Sequence, residues 1–391
     1  MTENPLGYEK ISKLLKDFAI PSIMASLVGS IYNIVDQIFI GQGVGYLGNA
    51  ATNVAYPFST ICLAIALLVG IGSASSVSLC LGRKEPKAAA KAAGNGIVLM
   101  GIFGIIYLLV GETFLSLLLK AFGATTDVFP YAKQYASITL IGMPFLIVTN
   151  GMSNLIRADG KPKYSMVCMV VGAIINTILD PIFIFVCDWG IAGAAWATAL
   201  CQAISFAILL THYLRGKGTL QMHWSFISKN PLLYASIFKN GMPSLTRNGL
   251  GAVAASALNL MAGQYGDAGV AAMSIVGRVM MITNAFLIGL GQGFQPVLGY
   301  NWGAKLFTRA KAALDTTIGI GTLMMICLGA VGFIFAEDIV AFFETDDPEV
   351  LAIGVLALKL HCLAAIIIPV NVIGNMSYQV LGRAAIGTLL A

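Results

Sequence analysis

The sequence predicts an all-α polytopic membrane protein with two helical lobes related by a parallel repeat. Three observations indicate this fold. Of the 391 residues, 58% are hydrophobic and only 10% are charged, whereas soluble proteins carry roughly 25% charged residues. Apolar stretches long enough to cross a bilayer follow one another along the chain. Short motifs of the first half also recur in the second half at nearly constant spacing.

The composition excludes several classes of protein. The 23 basic and 18 acidic side chains are too few to cover the water-facing surface of so long a chain. This argues against a soluble enzyme, a nucleic-acid-binding protein and a disordered scaffold. The seven cysteines are scattered through apolar stretches without a CxxC pair, so we interpret them as small hydrophobic residues. HExxH, GxSxG and Walker A motifs do not occur, and we predict neither an enzyme nor a bound cofactor.

The apolar stretches predict ten membrane helices, because each span needs about 20 mostly apolar residues. Several segments are longer and contain proline or glycine, so we expect tilts and kinks. The predicted spans lie near residues 14–40, 52–81, 92–118, 132–156, 164–187, 190–214, 236–262, 268–300, 311–335 and 351–381.

The basic residues predict the orientation of these helices. Counted along the chain, 18 of the 23 lysines and arginines fall in the N-terminal tail, in the even-numbered loops or after the tenth helix. The odd-numbered loops hold only Lys120 and Lys133, and the ninth loop is acidic. By the positive-inside rule, we expect a multi-pass protein of the cytoplasmic (inner) membrane with its N-terminus in the cytoplasm.

The repeat predicts the domain organisation. The segment Ile20–Ile23 (IPSI) recurs 222 positions later as Met242–Leu245 (MPSL), and Gly41-Gln42 recurs at the same spacing as Gly263-Gln264. A unit of six helices returns the chain to its starting side, so the two units are parallel. We predict an N-terminal lobe over 1–218, a cytoplasmic connector over 219–235 and a C-terminal lobe over 236–391. Counterparts of residues 164–214 are missing from the second unit, so we expect six plus six helices in the natural protein or its relatives and about ten in this chain.

Two carboxylates within predicted spans indicate an ion-binding site. A carboxylate at mid-membrane costs about 2.5–3.5 kcal/mol, yet Asp36 lies in the first span and Asp180 in the fifth. Asn176 and Asp180 are four residues apart and share one helix face. A desolvated pair of carboxylates favours sharing a proton, and with amide and hydroxyl oxygens it also suits Na⁺. We predict ion coupling, with H⁺ or Na⁺ at Asp36, Asp180, Asn176 and Thr198; alternatively, these groups only satisfy one another.

Further polar residues within the spans are candidates for a substrate pocket. Polar side chains also commonly hold membrane helices together, so a purely structural role is the alternative for them. Among them, Arg247 in the second lobe would either bind an anionic group or cap helix ends. The candidates are Asn33, Gln37, Asn150, Asn154, Arg247 and Gln295.

Three segments in order resemble the multidrug and toxic compound extrusion (MATE) transporters. Gly289–Ala304 (GLGQGFQPVLGYNWGA) resembles the family's eighth-helix signature. Tyr32–Gly41 (YNIVDQIFIG) and Asn176–Phe185 (NTILDPIFIF) are similar to the prokaryotic branch with acidic residues in the first lobe. The resemblance implies two six-helix lobes around a central cleft, alternating access, and an ion-linked pocket formed by the positions of Asp36, Asn176, Asp180 and Thr198. The chain departs from the family by lacking two C-terminal helices.

Together these features predict a secondary antiporter that exports amphipathic, mostly cationic drugs or toxic compounds in exchange for H⁺ or Na⁺. Its partners would be a small organic cation and membrane lipid, with no nucleic acid, and we expect a monomer. Two alternatives stay open at this stage. One is a lipid-linked saccharide flippase of the same superfamily, which would favour a cleft lined with basic residues such as Arg247 and Arg278. The other is an integral membrane enzyme, which lacks a recognisable catalytic constellation here.

Overall fold

A computed structural model of the chain describes residues 4–214, 231–343 and 347–390, and all secondary structure in these ranges is helical. A short 3₁₀ turn, Pro5–Gly7, precedes thirteen α-helices. The helices are α1 (Ile11–Val44), α2 (Tyr46–Gly82), α3 (Pro86–Ala121), α4 (Phe129–Ala158), α5 (Pro162–Pro181, continued by a π-helical turn over Ile182–Val186), α6 (Gly190–Leu214), α7 (Pro231–Gly263), α8 (Gly266–Gly303), α9 (Phe307–Ile334), α10 (Ala336–Phe343), α11 (Pro348–Ala365), α12 (Ile368–Val380) and α13 (Ala384–Leu389).

Nine of the described helices are long and apolar enough to cross a membrane, namely α1 to α6, α8, α9 and α11. The predicted span 236–262 corresponds to α7, which has 33 residues. It falls outside this set because its sequence is more polar and includes Asn240, Arg247 and Asn248. Length alone would still allow α7 to cross a bilayer.

The predicted tenth span, near 351–381, consists of two helices in the structure. The chain breaks at Ile366–Ile367, between α11 and α12, and Pro369 lies in the first turn of α12. Proline lacks the backbone donor that would continue α11 and is readily accommodated at a helix start. The predicted connector 219–235 lies mostly outside the described residues, and its last five residues belong to α7.

Small residues let the helices of each half pack closely. We call α1–α6 the N lobe and α7–α13 the C lobe. In the N lobe, α4 packs against α2, α3 and α6. A Cβ added to Gly70 would lie 2.7 Å from the Gly151 Cα, and one added to Gly104 would lie 2.9 Å from the Pro144 Cα. These backbone contacts around α4 explain how helices without charged pairs associate tightly.

The two lobes contact each other through equivalent helices. The first helix of each repeat packs against the second helix of the other, since α1 packs on α8 and α7 packs on α2. A Cβ on Gly241 would lie 1.8 Å from the Leu68 carbonyl oxygen, and one on Gly293 would lie 2.5 Å from the Ala19 Cα. The pairing of α1–α8 with α7–α2 is what a two-fold parallel repeat predicts.

These inter-lobe contacts lie at one side of the helical bundle. We call it the N-terminal side, because α1 begins there and α2 returns to it. Extensive packing between α1 and α7 is not found among the described residues. Residues 251–258, in the second half of α7, are exposed. The lobes therefore meet on the N-terminal side and diverge toward the opposite side.

The segment before α1 also crosses from one lobe to the other. The side chain of Leu6 is only 2% exposed and packs in the cluster that contains Phe294. The Asn301 amide donates to the Leu6 carbonyl oxygen at 3.0 Å. The Arg309 guanidinium donates to the Glu9 carbonyl oxygen at 2.5 Å. The chain ahead of the N lobe is thus anchored on the C lobe.

Candidate functional site

The two carboxylates predicted to bind an ion meet inside the N lobe. Asp36 lies on α1 and is 7% exposed, while Asp180 lies at the end of α5 and is fully buried. Their carboxyl groups lie within hydrogen-bonding range of each other. The buried Asn176 amide donates to Asp180 Oδ1 at 3.2 Å. The close packing of α1 against α5 brings these three residues together.

This cluster contains three buried oxygens that have no hydrogen-bond partner in the described part of the chain: Asp36 Oδ1, Asn176 Oδ1 and Asp180 Oδ2. The ion pair found among the described residues, Lys13 with Glu9, lies elsewhere. Buried acceptors without donors are costly, and buried charges need compensation. A proton satisfies such oxygens directly, and a hard monovalent cation satisfies them as ligands. Oxygens alone supply the type of ligand that Na⁺ requires.

The local sequence explains why α5 presents Asp180 at a helix irregularity. Pro181 ends the regular α-helix, and Ile182–Val186 continue as one π-helical turn. Proline removes a backbone donor, and single π turns inside membrane helices frequently mark functional positions. Gly193 on α6 lies against the Phe183 backbone, where a Cβ would be 2.7 Å from the carbonyl carbon. The irregular turn is therefore held by close backbone packing.

Sequence reasoning missed two tyrosines beside the carboxylates. Tyr32 on α1 and Tyr135 on α4 lie near enough to interact electrostatically with both Asp36 and Asp180. Tyr32 is four residues before Asp36 and so shares its helix face, which was a usable signal. Tyr135 comes from another helix, so no local spacing relates it to the site.

The other predicted ion ligand, Thr198, is half-buried on α6. Its carbonyl oxygen accepts from the Cys201 thiol at 3.0 Å. Among the described residues, its hydroxyl shares no hydrogen bond with the two carboxylates or with Asn176. The structure therefore brings three of the four predicted ion ligands into one cluster.

The candidate pocket residues on α1 and α4 form separate contacts. Asn33 is exposed and its amide donates to the Gly29 carbonyl oxygen of the same helix at 2.7 Å. Gln37 accepts from the Thr52 hydroxyl at 3.0 Å, which ties α1 to α2. Asn150 donates to the Leu146 carbonyl oxygen at 3.0 Å. None of these contacts involves the carboxylate cluster.

The remaining candidates lie nearer the N-terminal side or within the C lobe. Asn154 accepts from the Arg157 guanidinium at 2.7 Å. Gln295 on α8 donates to Gln379 Oε1 at 3.3 Å. Arg247 on α7 donates to Asn375 Oδ1 at 3.0 Å. These residues thus form polar contacts apart from the carboxylate cluster rather than one common pocket with it.

Comparison with known proteins identifies the family. The MatE family model matches residues 21–182 and 243–391, which together exceed half of the chain. The chain belongs to the MatE family. The two matched blocks begin at Pro21 and Pro243, the same 222-residue offset as the repeat. Members of this family are membrane transporters of the multidrug efflux type and not enzymes.

Relatives of the MatE chain cover nearly all of it. The multidrug export protein MepA of Staphylococcus haemolyticus is 26% identical over 386 residues, covering 97% of this chain and 84% of the relative. A solved outward-facing multidrug resistance MATE transporter superimposes with a TM-score of 0.94 at 21% identity, covering 100% of this chain and 87% of that one. A crystal structure of MATE in complex with MaL6 also has a TM-score of 0.94, at 22% identity, over 98% of this chain and 86% of that one.

These likenesses confirm the predicted all-α polytopic membrane fold and the predicted MATE resemblance. As a MatE protein, the chain is a multi-pass membrane transporter that acts on small molecules. Among the described residues, the buried carboxylate cluster is where unsatisfied acceptors concentrate.

Proposed function

We propose that this transporter exports amphipathic, mostly cationic compounds in exchange for H⁺ or Na⁺ by alternating access. The observation that carries the proposal is the buried pair Asp36 and Asp180, with three oxygens that lack donors. The described residues place no basic partner beside this pair, and such a pair attracts either a small cation or a cationic substrate. Competition between the two for the same charge is the simplest way to couple their movements.

The proposed cycle uses the packing of the lobes. The lobes meet on the N-terminal side, which the distribution of basic residues assigns to the cytoplasm. A proton or Na⁺ arriving from the opposite side binds between Asp36 and Asp180 and lowers the negative charge of the pair by one, which weakens cation binding and releases the drug outward. Closure on that side and separation on the N-terminal side then return the site to the cytoplasm. In this proposal, the moving bodies are the N lobe and the C lobe, and the protein acts as a monomer of the inner membrane. They correspond to the predicted domains 1–218 and 236–391, with the predicted connector 219–235 between them.

Arg247 and Arg278 weigh against the flippase alternative. The guanidinium of Arg247 is bound to Asn375 within the C lobe. Arg278 is exposed, with its guanidinium carbon 5.7 Å from the centre of the Phe343 ring. A cleft for a phosphorylated lipid needs several basic groups facing one volume, and these two residues are engaged at separate places. Drug and ion antiport accounts better for the acidic cluster.

Transport in proteoliposomes tests the proposal. The purified protein is reconstituted, and efflux of a fluorescent organic cation is driven separately by a pH gradient and by a Na⁺ gradient. We expect one gradient to drive efflux in the unmodified protein, and Asp36→Asn and Asp180→Asn to lose that coupling. Asp315→Asn changes an exposed carboxylate on α9 and is the matched control. If both site variants still couple efflux to the gradient, the carboxylate pair does not carry the ion.

A further inference from the structure

A small polar cavity lies between the lobes on the N-terminal side, far along α2 and α4 from the carboxylate cluster. It is small: the space that the centre of a water-sized sphere can reach is about 10 Å³, so one water molecule or one small ion can occupy it. Helices α2 and α4 of the N lobe and α8 and α12 of the C lobe surround it. Its polar lining consists of Ser75, Ser78, Asn154, Arg157, Gln292 and Gln295.

The cavity is lined by a buried cation. Arg157 directly follows the predicted span 132–156, where the basic residues of the fourth loop were counted, but it lies in the last turn of α4 and is only 6% exposed. Its guanidinium donates to Asn154 Oδ1 at 2.7 Å and to the hydroxyls of Ser153 and Ser165 at 3.4 and 3.5 Å. All of these partners are neutral, and an ion pair with Arg157 is not found in the described part of the chain. A buried charge without a counter-charge is strongly unfavourable.

The other polar residues of the lining are uncharged. The hydroxyl of Ser75 is buried and has no hydrogen-bond partner among the described residues. The Gln295 amide donates one N–H to Gln379, and Gln292 also lines the cavity. The oxygen of Asn154 is already occupied by Arg157. The described lining contains no carboxylate. A cavity beside a buried positive charge, with no carboxylate in its described lining, selects an anion over a cation, and a water there would leave the charge uncompensated.

We propose that this cavity binds a small monovalent anion of about the size of chloride, held by Arg157 and Ser75 with the amides of α8. Because both lobes contribute to the lining, separating the lobes on the N-terminal side would dismantle the site. Linkage then requires the anion to favour the arrangement in which the lobes touch. The anion would act as an effector of the transporter, and this role does not depend on which cation or drug is carried.

Two measurements on the unmodified protein test whether the cavity binds an anion. Thermal unfolding of the purified full chain is measured while chloride replaces gluconate at constant ionic strength. We expect a saturable rise in melting temperature with chloride, because an anion bound only to the folded state stabilises it. Crystals grown in bromide should show an anomalous difference peak beside the Arg157 guanidinium. Superimposable chloride and gluconate curves, or a bromide map without this peak, would overturn the proposal in favour of a bound water.

Two variants locate the effect. Arg157→Gln should weaken the chloride midpoint by at least about tenfold, the loss expected for a charge-assisted hydrogen bond. Ser75→Ala removes only a hydroxyl, keeps the packing, and should also weaken it. Arg278→Gln and Ser274→Ala change exposed residues of α8 and should leave the chloride response intact. A chloride response that persists unchanged in both Arg157→Gln and Ser75→Ala would place the anion elsewhere and refute this site.

Discussion

The contact between α2 and α7 allows a sharp test of how the lobes move, through the substitution Gly241→Ala. A Cβ at this position would lie 1.8 Å from the carbonyl oxygen of Leu68, and one on the facing Gly72 would lie 2.1 Å from the carbonyl oxygen of Ile237. Both neighbours are backbone atoms that cannot rotate away. The added methyl group therefore has to separate α2 from α7.

The magnitude follows from the cost of overpacking, which is typically about 1–3 kcal/mol. The contact exists only while the lobes touch on the N-terminal side, so the cost falls on that arrangement alone. A difference of this size changes the ratio of two conformations by about 5- to 150-fold. Gly241→Ala should therefore shift the population toward lobes separated on the N-terminal side.

Electron–electron distance measurements check this shift. Nitroxide labels at the exposed positions Lys87 on α3 and Lys311 on α9 report the separation of the lobes on the N-terminal side. We expect a longer distance to gain population in Gly241→Ala. Gly374→Ala is the control, since a Cβ there meets nothing within 4 Å. Identical distance distributions in Gly241→Ala and Gly374→Ala would refute the inference that this contact must open during transport.

Two further predictions concern the ion site and the N-terminal segment. Asn176→Ala removes the amide that donates to Asp180 at 3.2 Å. Ion-driven efflux should therefore fall more than in Thr198→Ala, because the Thr198 hydroxyl makes no hydrogen bond with the described cluster. Equal losses in the proteoliposome assay would contradict this ranking. Arg309→Gln should weaken the hydrogen bond to the Glu9 carbonyl oxygen, and a hydrogen bond from a charged donor contributes about 1.5–3 kcal/mol. Backbone amide hydrogen exchange just before α1 should therefore become faster. Protection equal to that of the wild type would show that packing alone holds the segment.

The membrane spans could be predicted from the sequence because the bilayer fixes their length and composition. The repeat was also predictable, because the motif around Pro21 recurs around Pro243. The two blocks matched by the family model begin at these two prolines. The break between α11 and α12 was not predictable from Pro369 alone, because prolines such as Pro57 and Pro144 stay inside continuous helices. Whether a proline kinks or ends a helix depends on which neighbours satisfy the freed carbonyl groups.

The carboxylate cluster was predictable in part. The cost of placing Asp36 and Asp180 in lipid indicates that they need partners, and the i, i+4 spacing identifies Asn176. The position of Tyr135 depends on how α4 is rotated about its axis. The apolar residues of a membrane helix do not specify this rotation, because they face lipid as well as neighbouring helices. Arg157 was misplaced because it follows an apolar span and precedes two lysines, as loop cations do. Its burial depends on the C lobe covering the end of α4.

The anchoring of the segment before α1 on the C lobe has a practical consequence for handling the protein. A fluorescent protein or affinity tag fused ahead of residue 1 would be only a few residues from the hydrogen bonds that Asn301 and Arg309 donate to the carbonyl oxygens of Leu6 and Glu9. A bulky or charged fusion there would change the relative stability of the two arrangements of the lobes and would therefore alter the measured rate of transport. Drug-efflux rates are therefore best compared before and after proteolytic removal of any N-terminal tag.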